Sequence, residues 1–96
     1  IVSARVIIGK QCIINSNATV HHECVLRDGV EIGPSSTVCG IVNIGSNSWV
    51  GAGSTVIERT KIGNNAMIGI GSVCLSDVQD GVTVIGNPAR PFLKKQ

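Results

Sequence analysis

The residues able to do chemistry are concentrated in one stretch, VHHECVLRDGVEIG at positions 20–33. It holds both histidines of the chain, His21 and His22, with Glu23 next to them. Imidazole titrates near neutrality, so it suits the general base of an acyl transfer to an amine or alcohol. That reaction also needs a donor at the oxygen where negative charge grows. Two histidines side by side equally suggest half of a metal site, or two solvated residues on a structural coil. The four cysteines, Cys12, Cys24, Cys39 and Cys74, form no Cys-x-x-Cys pair. Zinc ligands come in closely spaced pairs, and a disulfide framework belongs to a secretory context, so these read as reduced structural thiols.

The elements that position the histidines follow from composition and period. Ninety-six residues make one domain. Hydrophobic residues are 43%, yet aromatics are one Trp and one Phe. Small and branched aliphatics must therefore fill the core, which points to a repetitive β architecture. A net charge of +2 with so few aromatics is poor for a nucleic-acid platform. No apolar run approaches the roughly 20 residues that span a bilayer, and no signal peptide is visible, so the expected setting is the cytoplasm.

From Val2, steps of six give Val2, Ile8, Ile14, Val20, Leu26, Ile32, Val38, Ile44, Val50, Val56, Ile62, Ile68 and Cys74 without a slip. Two residues before each, from Val6 to Ser72, stands a small or β-branched residue. Alternate strand residues share a face, so each hexad turns one large and one small residue inward. Glycine follows the aliphatic at 9, 33, 45, 51, 63 and 69, and Asn15 and Asn64 are expected where turns take unusual φ. The pattern resembles the hexapeptide-repeat, single-stranded left-handed parallel β-helix, an all-β fold. Three hexads make one coil, so positions 2–74 make about four coils. Positions 75–96 form a short tail with a strand near Val82–Ile85 and a turn at Asn87-Pro88. The resemblance, not the period, supplies the hand. Flat prism faces need partners, so a homotrimer is expected, with Trp49 in its interface.

The tail VTVIGNPARPF resembles the V-x-G-x-P-A-[KR] ending of hexapeptide acyltransferases. HHECVLRDGVEIGPSSTVCGIVNIG resembles the His-[Asp/Glu]-Cys stretch of the sialic acid O-acetyltransferase and UDP-4-amino-sugar N-acetyltransferase branch. The resemblance implies a coenzyme A-dependent enzyme that moves an acetyl group from acetyl-CoA to an amino or hydroxyl group of a sugar or sugar nucleotide, without metal. It implies His22 as general base and Glu23 as the acid that orients it. A second family histidine, which contacts the cofactor, falls on Glu31. A coil of three hexads stacks Gly40 on His22, and the matching glycine amide makes Gly40 the expected oxyanion donor, with room beside it for the thioester. The cofactor groove between subunits maps to Ala52 and Ile70, with Gly51 and Gly69 permitting close approach, and to Pro88, Ala89 and Arg90 near the adenine end. Lys94 and Lys95 join Arg90 as cations for the phosphates. Members of the branch carry an N-terminal sugar-nucleotide domain, and residues 1–96 hold none.

Two other functions compete. A γ-type carbonic anhydrase on the same prism needs three metal-binding histidines, and this chain has two, adjacent on a tight corner. A trimeric domain that assembles without catalysis, a severed or degenerate transferase, is the alternative to the enzyme.

Overall fold

The computed structural model describes residues 1–92, so Lys94 and Lys95 lie outside the described residues. Twelve two-residue strands recur at every hexad, from Ile7–Ile8 to Val73–Cys74. They stack as three parallel faces of a left-handed β-helix. The first face holds Ile7–Ile8, Val25–Leu26, Asn43–Ile44 and Lys61–Ile62. The second holds Ile13–Ile14, Glu31–Ile32, Trp49–Val50 and Met67–Ile68, and the third Thr19–Val20, Thr37–Val38, Thr55–Val56 and Val73–Cys74. Partners such as Glu31 and Trp49 stand three hexads apart, one coil. The tail shortens the last step: Met67 pairs with Thr83 and not with Ile85, which a full coil would bring beside it.

The inward registers are the core. Val20, Leu26, Ile32, Val38, Ile44, Val50, Val56 and Ile68 are 0–1% exposed, and burying each such side chain contributes about 2 kcal/mol. The small register is buried beside them, including Ser36, Ser48 and Ser54. Each of these hydroxyls donates to a glycine carbonyl on the next coil: Ser36 to Gly51 at 2.8 Å, Ser48 to Gly63 at 2.6 Å, Ser54 to Gly69 at 2.7 Å. The four cysteines are free thiols, with Cys24 and Cys74 fully inside.

The corners differ from the sequence expectation. Left-handed φ falls midway between successive inward aliphatics, at Arg5, Gln11, Asn17, Glu23, Ser35, Ile41, Asn47, Arg59 and Asn65, and at Gly29, Gly53 and Gly71. Asn15 and Asn64 are not among these positions. Glycines 33 and 51 serve instead to let coils approach: a Cβ on Gly33 would lie 2.6 Å from the Ala52 nitrogen, and one on Gly51 2.7 Å from the Ile70 nitrogen. The tail forms an antiparallel hairpin on the second face, Thr83–Gly86 against Ala89–Pro91, around a cis Asn87-Pro88 bond. The strand thus begins at Thr83, one residue after the expected Val82, and the chain returns antiparallel through Ala89–Pro91.

Candidate active site on two edges of the prism

His21 and His22 part company at the corner between the third face and the first. His21 continues the strand, its N–H donating to the Val38 carbonyl at 2.9 Å. His22 stands on the corner, with its side chain 53% exposed. Glu23 follows with φ 60°, which turns its carboxylate back onto the ring, so that Nδ1 and Oε1 are 3.3 Å apart. A carboxylate accepts only, so in the neutral imidazole Nδ1 carries the proton and Nε2 keeps the lone pair. On its other side Glu23 Oε1 is 3.7 Å from an Arg5 guanidinium nitrogen. Arg5 was missed by sequence reading, although it lies one full coil before Glu23, directly beneath it in the stack.

Gly40 stacks on His22 as the period requires: the Ile41 N–H donates to the His22 carbonyl at 2.9 Å and the Arg59 N–H to that of Gly40 at 3.0 Å. A Cβ built on Gly40 would lie 2.8 Å from His22 Nε2. The room at Gly40 is therefore taken by the imidazole, which buries the glycine, and not left for a thioester as the sequence suggested. The ring rises one coil and presents Nε2 where a Gly40 side chain would be. The Gly40 N–H donates to no group among the described residues.

That free amide is a property of the corner. Where the first face turns into the second, side chains cap three of the equivalent amides and leave that of Asp28 without a partner among the described residues: Asp28 Oδ1 accepts from Lys10, Asn64 Oδ1 from Ser46 and Asp80 Oδ1 from Asn64, each at 2.8 Å. Where the second face turns into the third, Ala52 and Ile70 have no such cap and their N–H groups donate to no described residue. Ile70 is also 71% exposed.

The expected site residues therefore fall into two groups. His22, Glu23 and Gly40 share one corner. Glu31 lies on the second face between Ile13 and Trp49, and Gly51, Gly69, Ala52 and Ile70 follow on its far edge. Pro88, Ala89 and Arg90 belong to the tail hairpin on that same face, with Arg90 exposed opposite Ile85. A single chain does not bring the two groups together. A cavity of about 430 Å³ beneath the tail, lined by Cys74, Asp77, Val84, Arg90 and Phe92, is remote in the coil order from His22. Burial raises the thiols of Cys24, Cys39 and Cys74, and the negative charge of Glu58 adds to the rise at Cys39.

Three faces of stacked hexads define a hexapeptide-repeat β-helix. The chain belongs to the bacterial transferase hexapeptide (six repeats) family, whose model matches residues 5–40 and 41–76. It is similar to a solved His-to-Ala variant of GDP-perosamine N-acetyltransferase from Caulobacter crescentus, in complex with CoA and GDP-perosamine: 34% identity, 97% of this chain and 44% of that one, TM-score 0.95. WeeI from Acinetobacter baumannii AYE matches at 32% identity over 95% of this chain and 45% of its own, TM-score 0.92. The acetyltransferase domain of PglB from Neisseria gonorrhoeae FA1090, in complex with acetyl coenzyme A, matches at 33% identity over 95% of this chain and 53% of its own, TM-score 0.86. The chain thus spans about half the length of these relatives. No curated protein matches the sequence significantly.

Proposed function

We propose that this chain transfers an acetyl group from acetyl-CoA to an amino or hydroxyl group of a sugar, in the cytoplasm and as a homotrimer. The observation that carries the reading is the pairing at His22: Nδ1 is held by Glu23, and Nε2 packs on Gly40, whose N–H has no partner among the described residues. Acetyl-CoA supplies the acetyl group as an activated thioester. His22 Nε2 takes the proton of the attacking amine or hydroxyl as its new bond to the acetyl carbon forms, and returns it to the coenzyme A sulfur as the C–S bond breaks. Glu23 keeps the ring in the tautomer that allows this. The Gly40 N–H donates to the thioester oxygen as its charge grows. Free amides at Ala52 and Ile70, with Gly51 and Gly69 beside them, are suited to the uncharged arm, and Arg90 with Pro88 and Ala89 to the nucleotide end. Glu31 stands nearby on the same face as a polar contact. These residues lie on a different edge from His22, which supports a cofactor held between two copies. A nucleotide-linked sugar is the favoured acceptor, as the Caulobacter relative is described with GDP-perosamine.

Calorimetry with coenzyme A and an acetylation assay over nucleotide-linked amino sugars, GDP-perosamine among them, test the reading. His22→Ala should lower the transfer rate by about 10²–10⁴-fold with cofactor affinity nearly unchanged. A native protein that assembles but binds no coenzyme A would be a structural trimer and not an enzyme.

A further inference from the structure

We infer that Glu58 is a further coenzyme A-binding residue, its carboxylate accepting an N–H from the amide-bearing arm of the cofactor. The inference rests on the acetyltransferase reading above.

The backbone places Glu58 at the active corner. The Arg59 N–H donates to the Gly40 carbonyl at 3.0 Å, so Glu58 stacks on Gly40 as Gly40 stacks on His22. Each step is about 4.8 Å. The imidazole already rises to Gly40, so Glu58 is the next side chain along the corner from Nε2.

A comparison with the neighbouring corner shows what is unusual about it. There, an Asp or Asn one coil on caps the amide beneath it at two steps, as Asp28 does for Lys10 and Asn64 for Ser46. Glutamate is one methylene longer, and Glu58 makes no such bond to Gly40. Among the described residues its carboxylate accepts no hydrogen bond and forms no ion pair. A free donor, the Gly40 N–H, and a free acceptor, the Glu58 carboxylate, are thus consecutive on one corner.

A carboxylate accepts only, so the ligand group that meets it is a donor. The acceptor sugar must lie against Nε2 to lose its proton there. With the Gly40 N–H at the thioester oxygen, an arm that continued from the sulfur in the direction from His22 to Gly40 would next reach Glu58. The polar groups nearest the sulfur on that chain are amides, each with an N–H. The phosphates lie farther out, so the carboxylate does not meet them.

Calorimetric titration of the protein with coenzyme A, pantetheine and adenosine 3′,5′-bisphosphate tests the assignment. Glu58→Ala should weaken coenzyme A and pantetheine about fivefold and leave the bisphosphate unchanged, the scale of one partly exposed charged hydrogen bond. Glu58→Gln keeps a carbonyl acceptor and should lose less. Coenzyme A bound equally or more tightly by Glu58→Ala, or an equal loss for the bisphosphate, overturns the role of Glu58 alone. Native protein that binds no coenzyme A overturns the acetyltransferase reading, and the role of Glu58 with it.

Discussion

The imidazole of His22 sits where a side chain on Gly40 would be, with Nε2 2.8 Å from the position of the missing Cβ. Gly40 is not one of the left-handed corner residues, so the ring and not the backbone requires glycine there. Gly40→Val should push the imidazole outward and lower acetyl transfer about 10²-fold. Its unfolding midpoint should stay close to the native one, because an exposed ring can move aside. A variant with native rate would show that the His22–Gly40 packing has no part in the reaction.

Glu23 and Arg5 separate a close partner from a distant one. Glu23→Ala frees Nδ1 and should cost at least about tenfold in turnover. Arg5→Ala removes a pair at 3.7 Å between side chains 76% and 48% exposed, which solvent screens, so turnover should change less than about threefold. Steady-state assays on the two variants decide the order, and equal losses would mean that Arg5 sets the position of Glu23.

Ile41 adopts φ 59°, a conformation that strains a β-branched residue, at the hexad position that Asn17, Asn47 and Asn65 hold on the other two corners. Ile41→Asn should stabilise the coil by about 1 kcal/mol and raise the melting midpoint by a few degrees. Differential scanning calorimetry measures it directly. A lowered midpoint would mean that the packing of this half-buried side chain outweighs the strain.

Burial holds the Cys24 and Cys74 thiols above their ordinary value of 9.0. A raised acid is neutral in the fold over a range where the unfolded chain ionises. Its contribution is therefore complete below about pH 9 and is lost as pH rises through the folded value. Denaturation midpoints should fall above about pH 9, and Cys24→Ala should flatten that fall. Midpoints that stay level well above that pH in the native chain would refute the linkage.

The second face carries Ile13 and Met67, 52% and 45% exposed, on either side of Glu31 and half-buried Trp49. Sedimentation velocity should show a trimer, and Met67→Glu should shift it toward monomer and weaken coenzyme A binding in step. Dissociation with undiminished cofactor affinity would place the whole cofactor site within one chain.

Much of this molecule is written in a step of six. The inward aliphatics from Val20 to Cys74, the coil length, the stacking of Gly40 on His22 and the outward strand position of His21 all follow from counting hexads. A β-helix has almost only nearest-coil contacts, so its tertiary neighbours are a fixed distance away in sequence. The same arithmetic reaches Arg5 beneath Glu23, once the carboxylate is known to matter. It did not reach what depends on direction and side-chain length. Only the folded corner decided that the ring fills the space at Gly40, that left-handed φ falls at Glu23 and Ile41, and that Asp28 caps an amide where Glu58 does not. Those outcomes turn on the φ of one residue and the reach of one methylene, neither of which a hexad period encodes.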